Sequence, residues 1–200
     1  MKILKKKSKT KLTKSLTKKK LSRKFIFVFE GLDGSGKKNL INKVFENLKD
    51  KYQVEVSSEP LDKSIITDKV NNSLKIALYV ADRYNHIKKI MKSSKDIFLM
   101  NRYLYSTLIY QGLNANSFEL KFIRKSQIGF YRPDLIFYIR TPFDKCFKNQ
   151  NRFSMEEFKK IYKAYETIFS GDTRVIRIDG GLPIQIQVNQ IVHKIINTIK

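Results

Sequence analysis

The chain of 200 residues contains a single cysteine, Cys146, so no disulfide can form within it and no thiolate metal site is suggested. That scarcity suits a reducing compartment such as the cytoplasm. Histidine is nearly as rare: His86 and His193 lie far apart in the sequence and suggest no metal pair. No apolar run approaches the roughly 20 residues of a membrane span. No internal repeat is present, and no linker divides the body of the chain. Acidic residues are also scarce, 18 against 41 lysines and arginines, giving a net charge of +23. The shortage is complete in residues 1–24, which hold 11 Lys, 1 Arg and no acid, a charge of +12. Such a stretch repels itself and is expected to be disordered unless a polyanion gathers it. Nucleic acid, an acidic membrane and a targeting receptor are its candidate contacts. A lysine-rich extension without a partner is an equal alternative. It lacks the apolar segment of a secretory signal, and it is richer in lysine than the arginine-favouring organellar presequences, which stay open as a reading. Residues 25–200 carry the remaining +11 and read as one domain.

What the sequence does have begins at Phe25. The apolar run Phe25-Ile26-Phe27-Val28-Phe29 predicts a fully buried strand. It ends in Gly31-Leu32-Asp33-Gly34-Ser35-Gly36-Lys37-Lys38, and beyond this Leu40, Ile41, Val44, Phe45 and Leu48 recur at helical spacing. Strand, glycine loop and helix together form the context of a phosphate-binding loop. The glycines let the backbone turn its N–H groups inward, the helix start adds its dipole, and Lys37 adds a charge for the β- and γ-phosphates of a nucleotide such as ATP. The usual loop continues with Ser or Thr, whose hydroxyl ligates Mg²⁺. Here Lys38 stands in that place, and lysine has donors only.

Strand and helix patterns alternate through the rest of the chain. Strands are predicted at Tyr52–Val56, Ile97–Met100, Leu135–Ile139 and Val175–Ile178. Helices are predicted from about Asp62 to Lys92, through Leu108 and Tyr110, near Phe118–Gln127, from Pro142 toward Lys148, and over Met155–Ile168 and Ile184–Ile199. Pro142 suits a helical first turn. The fold class is α/β, with five parallel strands covered by helices on both faces. Besides Arg132-Pro133-Asp134, which reads mainly as a strand entry, three clusters fall where such a sheet binds ligands. Tyr79 and Arg83 share a helix face and can stack on a base and donate to its carbonyl. Arg102 directly follows a buried strand, where a guanidinium can clamp phosphate bidentately. The basic run Lys145, Lys148 and Arg152 can act as a lid over a transferring phosphoryl group. A core tyrosine, a surface ion pair and a solvated helix face would explain each of these separately.

Taken together, the motifs resemble the thymidylate kinase family of P-loop nucleoside-monophosphate kinases, from Phe25 to the C-terminus. Phe29 to Lys37 is similar to the family's phosphate loop, which carries an Asp. Glu59-Pro60 looks like its Glu-Pro loop, and Ala81-Asp82-Arg83 with His86 like its base-binding helix. Arg102-Tyr103, Ser106 and Tyr110-Gln111-Gly112 look like its Asp-Arg-Tyr segment and the helix beyond it, and Pro133-Asp134-Leu135 like its late strand entry. The resemblance implies transfer of the γ-phosphoryl group from Mg·ATP to dTMP, giving dTDP. It implies that Gly31, Leu32, Asp33, Gly34, Ser35, Gly36, Lys37 and Lys38 hold ATP. It implies that Asp33, Glu59, Tyr79, Arg83, Arg102, Thr107 and Tyr110 hold dTMP. In that picture Asp33 meets the 3′-hydroxyl, Tyr79 stacks on thymine, Arg83 donates to it, Thr107 lies near it, Arg102 binds the phosphate and Tyr110 crowds the 2′ position. With Gly34 where some members carry Arg, the lid must supply cationic help. Lys37, Arg102 and Arg152 are then the catalytic candidates. A homodimer is implied as well.

The departures concentrate on the metal. Lys38 and Asn39 replace hydroxyl residues, and Asn101 replaces the Asp of the Asp-Arg-Tyr segment. Ser58 stands where many members have Arg, and Arg140 where Asp is usual. The metal ligands therefore stay unassigned, with Glu30, Asp33 or the charge of Lys38 itself as candidates to compensate. A catalytically impaired nucleotide-binding relative and a kinase of another nucleoside monophosphate are the competing readings.

Overall fold

A computed structural model describes residues 18–62, 64, 70–126, 131–169, 171 and 173–200. Five strands, β1 (Phe25–Glu30), β2 (Val54–Ser58), β3 (Ile97–Asn101), β4 (Leu135–Arg140) and β5 (Val175–Asp179), form one parallel sheet in the order β2-β3-β1-β4-β5. The helices among the described residues are α1 (Lys37–Leu48), α2 (Asn72–Lys92), α3 (Leu104–Tyr110), α4 (Ser117–Ser126), α5 (Phe143–Lys148), α6 (Met155–Ile168) and α7 (Ile184–Thr198). Among the described residues no helix is long and apolar enough to cross a membrane.

The alternation of β1 divides the core. Phe25, Phe27 and Phe29 face α1 and α7, packing with Leu40, Ile41, Val44, Val188 and Ile191. Ile26 and Val28 face the other side, with Ile90, Ile109, Phe158, Ile161 and Tyr165 of α2, α3 and α6. Every β1 residue is buried, and truncating Phe27 to Ala would cost about 3–5 kcal/mol. β1 pairs with β3 through Phe29↔Asn101 and with β4 through Glu30↔Tyr138. The connection from β1 passes over β3 to reach β2, whereas β4 lies on the opposite side. The crevice at the carboxyl ends of β1 and β3 is therefore the topological switch point where open α/β sheets bind ligands.

The second strand runs two residues later than its apolar pattern indicated. Its pairing with β3 continues through Ser57↔Met100 and Ser58↔Asn101, because ladder hydrogen bonds outweigh the weak strand preference of serine. Tyr52 instead makes an isolated bridge with Lys19. The helix expected from Asp62 begins only at Asn72, where the Asn71 side chain accepts from the Leu74 N–H. Residues 63 and 65–69 of that stretch lie outside the described residues. The Leu61 and Asp62 N–H groups donate to the Asp82 carboxylate, at 2.7 and 3.0 Å, so this loop is tied to α2 rather than extending it. Gln127, expected at the end of α4, also lies outside the described residues. Pro142 is the N-cap of α5, at φ −48° and ψ 137°, rather than part of its first turn.

Residues 18–24 contribute to the amino end of the sheet. Lys19 N–H donates to Lys51 O at 2.9 Å, Leu21 N–H to Asp96 at 3.1 Å, and Lys24 Nζ to Lys95 O at 2.9 Å. Residues 1–17, which carry most of the expected extension, lie outside the described residues.

Candidate active site

The phosphate loop follows from the end of β1. Gly31 and Gly34 have φ of 143° and 79°, and both are hemmed in by backbone. A Cβ on Gly31 would lie 2.7 Å from Ile139 O, and one on Gly34 would lie 2.3 Å from Cys146 O. These two positions accept only glycine, so the loop can lie against β4 and α5. α1 starts at Lys37 without a side-chain cap and without an acidic residue in its first turn. Its leading N–H groups and dipole therefore face the loop. Lys37 folds into the loop, donating to Gly31 O at 2.7 Å, Leu32 O at 2.6 Å and Ser35 Oγ at 3.0 Å. Burial and the neighbouring Arg102 push its pKa down to about 7, against the pull of Asp33 and Glu30. An anion placed beside the ammonium would act against that shift.

Arg102 holds the centre. It leaves β3 in the left-handed region, at φ 72°, a conformation costing about 1–3 kcal/mol for a residue with a side chain. Its N–H donates to Phe29 O at 3.0 Å, which holds the turn to the end of β1. The guanidinium donates to Ser106 Oγ at 2.8 Å, to the Tyr165 and Tyr110 hydroxyls at 3.2 Å each, and to the Asp33 carboxylate. It also lies 4.8 Å from the centre of the Tyr110 ring. Burial alone would raise the pKa of Asp33, but Arg102 and Lys37 hold it below the usual carboxylate range. Beneath this cluster Glu30 is wholly buried. It accepts from Tyr103 N–H at 2.9 Å, from the N–H and hydroxyl of Ser106 at 3.2 and 2.7 Å, and from the Tyr165 hydroxyl at 3.2 Å. Burial raises its pKa, opposed by Arg102 and these bonds.

The far end of the crevice is built on α2. Arg83 is almost wholly buried. It donates to Glu59 at 2.9 Å and to Thr107 Oγ1 at 2.7 Å, and lies 5.4 Å from the centre of the Tyr103 ring. His86 Nδ1 stands 3.5 Å from the other Glu59 oxygen. That oxygen and both His86 nitrogens are buried without hydrogen-bond partners. A cavity of about 440 Å³ runs along this wall, with Asp33, Tyr79, Arg83, Arg102, Thr107 and Tyr110 among its lining. It brings together all seven expected acceptor residues, since Glu59 also borders it. Glu59, however, spends one oxygen on Arg83, which makes it a support for that guanidinium.

A second cavity, of about 580 Å³, lies over the phosphate loop between Asp33–Asn39 and Asn149–Arg152. Arg152 borders both cavities, but Lys145 and Lys148 border neither. They are exposed on α5, whose buried face is occupied by Cys146, so of the three basic lid candidates only Arg152 reaches the crevice. Arg140 points elsewhere: its Nε bonds Glu166 at 3.0 Å, and Tyr138 donates to the same carboxylate.

No sequence motif marks a role for Tyr165, or one of its own for Asp82. Tyr165 sits in the apolar stripe of α6 and reads as core, which it also is; only the fold brings its hydroxyl to Arg102 and Glu30. Asp82 is buried under the Glu59-Pro60 loop, and nothing in the sequence marks which backbone groups it caps. Glu30 left one readable trace, a carboxylate closing an otherwise apolar strand.

The donor set for a cation is thin. Lys38 cannot ligate one. Glu30 uses both oxygens on Tyr103, Ser106 and Tyr165, and Asp33 pairs with Arg102. Asn101 Oδ1 is buried without a partner and is a single neutral oxygen. Among the described residues no group of three or more His, Cys, Asp or Glu could hold a metal. These residues do not fit a protein-built Mg²⁺ site.

Comparison with known proteins points one way. The family model for thymidylate kinase matches residues 29–191. A probable thymidylate kinase of Sulfurisphaera tokodaii is 35% identical, over 64% of this chain and 72% of its own length. The thymidylate kinase of Ureaplasma parvum serovar 3 is 30% identical, over 85% and 89%. That of Malacoplasma penetrans is 27% identical, over 88% and 98%.

Proposed function

The chain belongs to the thymidylate kinase family, and from that premise and the shape of the crevice we propose that it transfers the γ-phosphoryl group of ATP to dTMP, giving ADP and dTDP. The observation that carries this is the pair of adjoining cavities in which Arg102 stands between the phosphate loop and the Tyr79–Arg83 wall. In them a nucleoside monophosphate can place its phosphate beside the triphosphate of ATP and its base against α2.

In this reading the N–H groups of residues 31–38 and the Lys37 ammonium cradle the ATP phosphates. Arg102 exchanges Asp33 and tyrosine partners for the acceptor phosphate, which it can grip with two N–H groups at once. Released from that pair, Asp33 accepts from the 3′-hydroxyl of the sugar. Tyr110, stacked on Arg102, fills the space a 2′-hydroxyl would need. Arg83, steadied by Glu59 and Thr107, donates to a base carbonyl while Tyr79 covers the ring. The attacking group is a phosphate oxygen, already anionic near neutral pH, so no general base is required. Positioning and charge stabilisation carry the rate. Arg152 lies where charge spreads over the transferring group and stabilises it there, the task Gly34 leaves open.

The test is a coupled ADP-release assay with ATP against dTMP, dUMP, UMP, CMP, GMP and AMP. Turnover highest with dTMP and lowered by a 2′-hydroxyl supports the reading. A preference for a purine monophosphate, or ATP turnover independent of any acceptor, overturns it.

For the extension we infer contact with nucleic acid. Its +12 charge supports this, as does the anchoring of residues 18–24 at the amino end of the sheet, opposite the crevice. Binding of a single-stranded RNA that weakens steeply with salt, and is lost in a chain beginning at Lys18, is the expected result. Equal binding by both chains removes the idea.

A further inference from the structure

Lys38 and Asn101 border the acceptor cavity, the phosphate cavity and a third cavity of about 400 Å³ between α1 and the loop after β2. They thus stand where donor and acceptor phosphates must meet. P-loop kinases ordinarily place a hydroxyl and a carboxylate around a divalent cation at such a junction. Here the junction holds a cation and a neutral amide instead. We propose that Lys38 itself supplies the positive charge between the phosphates, so that this protein binds ATP without needing a divalent metal.

Three observations carry this. Lys38 is the second residue of α1, in a first turn that holds two lysines and no acid. A cation there opposes the helix dipole and Lys37, and the arrangement becomes favourable only when a strong anion sits before the helix. Asn101 Oδ1, buried and without a partner, is an acceptor within the same junction. It can take an N–H of Lys38 and hold the ammonium toward the phosphates, without adding the negative charge that would attract a metal. Finally, Lys37, Lys38, Arg102 and Arg152 border the phosphate cavity against one carboxylate, Asp33. Basic side chains thus outnumber carboxylates around this cavity, Lys38 and Arg152 being exposed at its border, and that imbalance disfavours a further cation there.

The inference rests only on the ATP half of the proposed function. Its test is equilibrium ATP binding by calorimetry, in EDTA and in excess Mg²⁺, with no acceptor present. The wild-type protein is expected to bind ATP in EDTA within about threefold of its affinity in Mg²⁺. The K38M variant is expected to lose about tenfold or more in EDTA. The K38T/N101D double variant is expected to bind ATP only in Mg²⁺. K43M, which removes an exposed lysine of α1 that borders none of the three cavities, should behave as wild type and so separates local from overall charge. Wild-type binding that weakens more than threefold in EDTA overturns the inference, as does K38M binding like wild type, or K43M losing as much as K38M. ATP that fails to bind in either condition overturns the proposed function itself. The dTMP panel then stands or falls separately.

Discussion

The two ends of the crevice are built on opposite principles. At the base end, Arg83 is held by Glu59 and Thr107 and the loop is capped by Asp82 before any ligand arrives, while one Glu59 oxygen and both His86 nitrogens keep no partner. At the phosphate end, two lysines crowd a helix start, Asn101 holds an unpartnered oxygen and Arg102 is occupied by a carboxylate and two tyrosines that it must trade. The first end recognises by rigidity. The second gathers positive charge, which in the proposed reading the nucleotide phosphates neutralise. Binding energy released at the phosphate end can then be spent on alignment, while the base end sets what is aligned.

This contrast can be broken most sharply at Arg102. Arg102→Ala is expected to lower kcat/KM for dTMP by about 10³-fold or more, since a phosphate clamp acts in both binding and transfer. ATP affinity by calorimetry should change by less than about threefold. Unchanged dTMP affinity would remove Arg102 from its role. Gly34→Ala comes next, and at the other phosphate. A Cβ 2.3 Å from Cys146 O forces the loop off α5, and ATP affinity should fall by about 100-fold. Retention of ATP affinity would mean that the loop's contact with α5 is dispensable.

Glu59→Gln tests the rigid end. It leaves Arg83 buried beside a neutral amide, and breaking a buried pair costs about 3–5 kcal/mol. A Tm lowered by several degrees and a raised KM for dTMP, with ATP binding intact, are expected. A change in ATP affinity as large as that in KM would show that the two ends are not separable. The smallest effect is a proton. With its pKa near 7 in the ligand-free loop, Lys37 is mostly neutral at about pH 8 and regains its charge against the phosphates. ATP binding should therefore take up close to one proton at about pH 8 and little at about pH 6, read from calorimetry in buffers of different ionisation enthalpy. The same group adds a stability trend. Between about pH 7 and the usual lysine value near 10.5 the unfolded chain binds more protons than the folded one, so its contribution to stability rises with pH across that window.

Much of this was legible in the chain, for particular reasons. The strand at Phe25, the glycine loop and the helix after it were readable because a buried parallel strand, a left-handed turn and an amphipathic helix each demand a local pattern. Tyr79, Arg83 and Arg102 were readable because their spacing or their place after a strand implied a shared edge. The shift of β2 to Val54–Ser58 was not, since serine carries no strand signal and pairing with β3 decides its register. The late start of α2 was hidden too, because Asp82 captures the Leu61 and Asp62 N–H groups that a helix would otherwise use.

Residue type and short-range order are enough to specify the class of fold, the phosphate loop, the absence of a hydroxyl at Lys38 and the strong positive charge. Which charges face one another is a matter of tertiary packing. Packing brought Tyr165 from α6 and Glu30 from β1 to Arg102, chose Arg152 over Lys145 and Lys148 for the crevice, and set Lys38 and Asn101 at the border of both cavities. Those relations join residues tens of positions apart through the packing of helices on a twisted sheet, and no local pattern along the chain encodes them.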